Sequence, residues 1–256
     1  MRFDVVTLFP ELFAPFLTSG VTRRAYESGL VEVKLWNPRD FADGNYRRVD
    51  DRPFGGGPGM VMLAQPLALC MAAIHAERTS GHDPVVLFSP VGKTLTHSDV
   101  EGWSSGQGAV LICGRYEGID QRFIDKYVTH QISLGDFVLS GGEIAAMALL
   151  DATARLQPGV LNDEGSHQMD SFNPALDGLL DCPHYTRPED WQGQTVPDVL
   201  MSGNHAHIEC WRREQRLQLT QQQRPELIEN ARVAGQLTAK DEAFLTSTSE
   251  NLVPKP

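Results

Sequence analysis

The stretch from residue 111 to 143 sets the tightest limits on what this chain can fold into. It reads as strand end, glycine loop, helix, strand, glycine loop and helix in close succession. Residues 109–113 are an unbroken apolar run, the pattern of a strand buried on both faces. Gly114-Arg-Tyr-Glu-Gly118 follows directly. Residues 128–133 read as a short strand feeding a second glycine loop, 133–142. An apolar helix then runs from about Gly141 through Arg155. Ser140 and Glu143 stand at capping-box spacing, which puts the helix start just after Ser140. At glycine a backbone can approach a ligand where a side chain would collide. Two such loops at strand and helix ends predict a small-molecule pocket built largely from main chain.

The residues before this stretch extend the alternation. Residues 3–9 and 84–88 read as buried strands. Residues 30–36 alternate, with Val31, Val33 and Leu35 opposite Glu32 and Lys34. Helices are expected at 21–28, closed by Gly29, and at 65–77, with Leu67, Cys70, Met71 and Ile74 in one stripe. Shorter ones are expected at 96–103 and 120–126. Strands separated by helices give an α/β domain, residues 1–160, with a mainly parallel sheet. Loops after Phe88, Cys113 and Ile132 lie beyond strand carboxyl ends, where open α/β sheets hold ligands. Residues 41–60 form a long irregular segment with three consecutive glycines and a local excess of Arg47, Arg48 and Arg52. A substrate loop and a passive connector are its two readings. No Gly-Lys-Ser/Thr follows, so it is not a Walker loop.

Past residue 160 the texture changes. Residues 161–175 are polar and turn-rich, a flexible linker by composition. Residues 176–256 read as a small helical domain. One helix is capped by Asn204, runs to about Leu219 and carries Arg212, Arg213 and Arg216. A second starts at Pro225 and ends near Ala231, and a third starts at Thr238 with Asp241 at capping-box spacing. The tail after Ser247 is expected to fray.

A net charge of -11 over 256 residues argues against binding nucleic acid through a general positive field. Any such partner must be met by local basic patches. Cys70, Cys113, Cys182 and Cys210 form no CxxC pair, which points to reduced, mostly buried thiols and a cytoplasmic setting. His205, His207 and Cys210 sit on an ordinary helix and are not read as metal ligands. No apolar run approaches the eighteen or so residues of a membrane span. Asp4 and Pro10 interrupt the first apolar run, unlike a signal peptide.

Four long motifs carry a family resemblance. They are Asp50-Asp-Arg-Pro-Phe-Gly-Gly-Gly-Pro-Gly-Met60, Gly114-Arg-Tyr-Glu-Gly-Ile-Asp120, Ser133-Leu-Gly-Asp-Phe-Val-Leu-Ser-Gly-Gly-Glu143 and Leu180-Asp-Cys-Pro-His-Tyr-Thr-Arg-Pro188. With Leu200-Met-Ser-Gly-Asn-His205 and Trp211-Arg-Arg213, they resemble the bacterial tRNA (guanine-N1)-methyltransferases of the TrmD type, in register from residue 1 to about 235. The resemblance implies the knotted α/β fold of the SPOUT methyltransferases, with a trefoil-type knot at the carboxyl end of the domain. It implies a homodimer with active sites at the subunit interface, and no membrane or DNA partner. It implies methylation of tRNA at N1 of the guanosine immediately 3′ of the anticodon, with S-adenosylmethionine as donor.

The resemblance also assigns residues. Asp170, in Met-Asp-Ser-Phe172, matches the catalytic aspartate, although composition alone would make it a solvated linker residue. Arg155 matches a cation near the target guanine, although an arginine there would equally satisfy helix carbonyls. Donor contacts fall on Ser89 and Pro90, and on Gly114, Arg115, Tyr116 and Glu117. They continue along the second loop, through Ser133, Leu134, Gly135, Asp136, Phe137, Val138, Leu139 and Gly141. Phe137 stands where tyrosine is common in the family, so a hydroxyl is lost and the ring kept. Arg47, Arg48, Arg52 and Gly59 of the long loop, with Arg212, Arg213 and Arg216, are the RNA candidates, and strong salt weakening of tRNA binding is expected. The family's divalent-ion dependence, with Mg2+ the expected ion, would fall on Glu117, but one carboxylate makes no clear metal site.

Two rival readings remain at this stage. One is an α/β enzyme acting on a phosphorylated metabolite, with residues 55–59 as an anion cradle. The other is an RNA-binding module without catalysis, which would have no use for a base at Asp170.

Overall fold

The computed structural model describes residues 1–78, 83–162 and 166–252. The chain divides into two compact units, Met1–Asp163 and Glu164–Pro256. In the first, five strands form one sheet: β1 (Arg2–Val6), β2 (Glu32–Trp36), β5 (Val85–Thr94), β6 (Gly108–Ile112) and β7 (His130–Ser133). Their order is β2-β1-β6-β5-β7 and every pairing is parallel. Strands β3 (Asp50–Asp51) and β4 (Val61–Met62) form a separate antiparallel pair. The helices are α1 (Phe13–Thr18), α2 (Arg23–Glu27), α3 (Ala64–Glu77), α4 (His97–Ser104), α5 (Gln121–Tyr127) and α6 (Glu143–Ala154).

Strand alternation sorts the apolar residues into two cores, one on each face of the sheet. Phe3, Val5, Val86, Ala109 and Leu111 pack with Ala145, Ala146, Leu149 and Leu150 of α6. Val6, Val85, Leu87, Val110 and Ile112 pack with Leu67, Cys70, Met71 and Ile74 of α3 and with Phe123 of α5. Covering both faces is what turns strands such as β6 into continuous apolar runs.

Two expectations for this unit need correction. The loop placed after Phe88 lies inside β5. Residues 89–92 make an excursion while the strand re-pairs, so that both Phe88 and Lys93 oppose Ile132 of β7. Gly92 permits this crossing, since a Cβ there would stand 2.5 Å from the Gln131 carbonyl carbon and the Ile132 nitrogen. Helix α6 also starts later than expected, with Gly142 as N-cap and no side-chain cap. Ser140 and Glu143 form no capping box, because Arg115 occupies both.

In the second unit, β8 (Asp190–Trp191) and β9 (Gln194–Thr195) form a tight hairpin. They are followed by α7 (Asp198–Met201), α8 (His205–Gln223), α9 (Pro225–Val233) and α10 (Ala239–Leu252). Leu179, Leu217, Ile228, Ala231 and Leu245 form its core. The Asn204 side chain accepts from the His207 amide. Thr238 and Asp241 exchange capping bonds at the start of α10. The tail expected to fray after Ser247 continues as helix to Leu252, and 253–256 lie outside the described residues. So do 163–165 within the expected linker. Beyond them lie two 3-10 turns, Ser166–Met169 and Pro174–Leu176, joined by hydrogen bonds.

Candidate active site

A cavity of about 630 Å³ opens at the carboxyl ends of β6 and β7 and beside the excursion within β5. Its walls are the two glycine loops and the 89–92 excursion. They bring together Ser89, Pro90, Gly114, Arg115, Tyr116 and Glu117 from the first expected set. From the second loop come Ser133, Leu134, Phe137, Val138, Leu139 and Gly141. Gly135 and Asp136 belong to that loop but not to the wall. The Ser133 hydroxyl fixes the turn, donating to the Gly135 carbonyl at 3.0 Å and accepting from the Gly135 amide at 3.1 Å.

The loops are laced to each other through backbone. The Gly142 amide donates to the Gly114 carbonyl at 3.0 Å, and Arg115 bridges to Gly141. A Cβ at Gly142 would stand 2.8 Å from the Cys113 Cα, so only glycine fits this approach. Tyr116 is left-handed, at φ +60°, which turns the first loop back on itself.

Beneath the loops lies a buried polar knot that the sequence reading missed. Glu143 is 1% exposed. Its Oε1 accepts from the Thr7 hydroxyl at 2.8 Å, and its Oε2 forms an ion pair with Arg115 Nη2 at 2.9 Å. Arg115 Nη1 donates to the Ser140 carbonyl at 3.1 Å, and its guanidinium lies over the Phe9 ring. Burial, with the Glu143 charge second, pushes the neighbouring Cys113 thiol well above its ordinary range. Arg115 and Glu143 therefore tie the segment after β1, the first loop and the start of α6 together. The signal for it was Glu143 itself, a carboxylate opening an otherwise apolar helix.

The size and lining of this cavity suit a nucleoside-sized cofactor. Glycine backbone and the Ser89, Ser133 and Glu117 side chains offer polar contacts, while Leu87, Ile119, Ile124 and Ala145 offer an apolar slot. Arg115 Nε is buried at the wall without a hydrogen-bond partner among the described residues. No group of three or more His, Cys, Asp or Glu is arranged to hold a metal ion among those residues, and no described helix is long and apolar enough to cross a membrane.

The long loop is docked against this pocket. The Glu117 amide donates to the Met60 carbonyl, and the Met62 amide to the Gly118 carbonyl, both at 2.9 Å. Gly59 faces the Glu117 side chain. Arg47, Arg48 and Arg52 are exposed, Arg47 beside Asp40 and Arg48 beside Asp51. Tyr46 and Phe54, 95% and 100% exposed, flank them in the sequence. The motif reading passed over these rings, although aromatics interleaved with arginines are a mark of nucleic-acid contact. Arg155 ends α6 as its C-cap and lines a smaller hollow with Phe16, Gly20 and Asp151.

In the second unit, Asp170 sits between the two 3-10 turns; its amide donates to His167 and its carbonyl accepts from the Asn173 amide. The three helix arginines differ sharply in surroundings. Arg212 is half-exposed and pairs with Glu209 at 2.7 Å. Arg213 binds Asp177 at 2.7 Å and both oxygens of Asp241 at 3.1 Å. Arg216 is buried, 3.5 Å from Asp181. Two of the three are thus engaged inside the unit.

Burial acts to raise the Asp241 carboxyl. The Arg213 hydrogen bonds and the Thr238 amide and hydroxyl overcome it and hold the group at about 2. A depressed carboxyl stabilises above its unfolded value, near 4, and that gain is lost as pH falls toward about 2. Asp241→Asn should therefore lower stability at pH 7 by about 2 kcal/mol. The difference from the parent should shrink steadily between about pH 4 and pH 2, as followed by thermal melts.

Comparison with known proteins agrees with this geometry. A family model described as tRNA (Guanine-1)-methyltransferase TrmD matches residues 1–230. A relative from Polaromonas sp. (strain JS666 / ATCC BAA-500), called tRNA (guanine-N(1)-)-methyltransferase, is 76% identical over 254 residues, 98% of each chain. Relatives with the same description from Albidiferax ferrireducens and Bordetella pertussis are 74% and 58% identical, covering 96% of this chain and 99% and 97% of their own. The chain belongs to the TrmD family of tRNA (guanine-1)-methyltransferases.

Proposed function

We propose that this enzyme transfers a methyl group from S-adenosylmethionine to N1 of the guanosine immediately 3′ of the anticodon in tRNA. The observation that carries the reading is the main-chain-lined cavity between the two glycine loops, in a chain of this family. The donor supplies an already activated methyl group, so the protein needs no electrophile of its own.

The chain's residues have two tasks, alignment and proton removal. Ser89, Pro90, Gly114, Tyr116, Glu117, Leu134, Phe137, Val138, Leu139 and Gly141 would bind the donor in the cavity. Ser133, Gly135, Asp136 and Arg115 would shape the loops around it. Asp170 would take the N1 proton, and Arg155 would face the negative charge that builds toward O6. Arg47, Arg48, Arg52 and Gly59, with Tyr46 and Phe54, would meet the RNA, and Arg212 would add a contact from the second unit.

The reading includes a homodimer whose base comes from the partner subunit. Exposed Val138 and Ile144, beside the pocket, support an apolar subunit contact there. It includes the trefoil knot and a cytoplasmic setting. The charge of -11 confines RNA contact to these local patches.

The test is methylation of tRNA transcripts carrying guanosine, then adenosine, at the target position, with products mapped by mass spectrometry. One methyl at N1 of that guanosine and none on the adenosine transcript is expected. The donor alone should raise the melting temperature by mass action. Methylation elsewhere on the guanosine transcript, or methylation of the adenosine one, would overturn the assignment.

A further inference from the structure

Two of the three α8 arginines that sequence reading sends to the phosphates, Arg213 and Arg216, face inward, onto the loop that carries Asp170. We propose that Arg213 and Arg216 are positioning residues, which hold the 170–182 loop in its working shape through Asp177 and Asp181. The inference rests on the reading of Asp170 as the base.

The loop needs an external clamp. It has two left-handed residues that are not glycine, Phe172 at φ +70° and Asp177 at φ +57°. Such conformations persist only where the surroundings over-determine them. Here the determinants come from α8. Arg213 Nη1 donates to Asp177 Oδ2 at 2.7 Å, while its Nε and Nη2 grip the two oxygens of Asp241 at the start of α10. Arg216 pairs with Asp181 at 3.5 Å, and the Thr220 hydroxyl accepts from the Leu180 amide at 3.1 Å.

From this stretch the restraint passes to the two residues that follow the base. The Asp181 amide donates to the Ser171 hydroxyl at 2.9 Å, and the Phe172 amide to the Leu179 carbonyl at 2.9 Å. Ser171 and Phe172 are the residues that follow Asp170. A guanidinium committed to two carboxylates in a fork geometry is a poor phosphate ligand, because reaching out would strand both acids.

The test is single-turnover methylation at saturating tRNA and S-adenosylmethionine, with tRNA affinity measured separately. Asp177→Asn is the informative variant, since asparagine tolerates the left-handed backbone and only the charge is lost. It should slow the step about tenfold and leave the tRNA Kd within about twofold. Arg216→Met should do the same, and Arg216→Lys should recover most of the rate. Asp177→Asn combined with Arg213→Lys should be no slower than the slower single variant.

A wild-type rate in Asp177→Asn, with Asp170→Asn inactive, would overturn the positioning role alone. A loss confined to tRNA affinity and its salt slope would overturn it in favour of phosphate contact. Full methylation by Asp170→Asn would overturn the base assignment and the proposal with it.

Discussion

Asp170→Ala is expected to reduce single-turnover methyl transfer by about 10²–10⁴-fold, the usual worth of a positioned general base. Neutral guanine holds a proton on N1, and attack on the donor's methyl leaves that proton to be removed. The cavity proposed for the donor offers no rival in the right place among the described residues. Glu143 is buried in an ion pair with Arg115, and Glu117 sits where the long loop docks. Asp170 belongs to the second unit and the cavity to the first. The variant should therefore retain the donor-induced rise in melting temperature while methylation is lost. Full single-turnover activity would remove Asp170 from the mechanism and send the search to other carboxylates.

How far the sequence could be read depended on the range of the interactions involved. Strands and helices were legible because burial repeats along the chain. The run at 109–113 and the stripe from Leu67 to Ile74 state their own environments. Asn204 and the Thr238–Asp241 pair were legible because caps are local. The same local logic failed at Ser140 and Glu143, where an arginine more than twenty residues away had displaced the cap. It failed again on α8, where periodicity gives a helical arginine a position but not a partner. Asp177, Asp181 and Asp241 lie far from Arg213 and Arg216 in sequence, and only folding brings them together. Long-range ion pairs leave no spacing to read, so three similar arginines looked alike until their burial was known.

The Arg115–Glu143 pair, hidden from the sequence for the same reason, has the largest expected effect on stability. Removing one member of a buried pair strands the other charge, at a cost of about 3–5 kcal/mol. In Glu143→Ala the Arg115 guanidinium would keep only the Ser140 contacts and the Phe9 ring, and the Thr7 hydroxyl would lose its acceptor. The melting temperature should fall by about 10 °C. The donor-induced shift should shrink too, because Arg115 joins the two loops that form the cavity wall. Arg115→Met combined with Glu143→Ala separates the two effects. Removing both charges should restore much of the lost stability, since an apolar replacement avoids the stranded ion. It should not restore donor binding, because the Ser140 tether is gone. If the double variant binds donor as tightly as the parent, the pair serves the fold alone and the loops hold their shape without it.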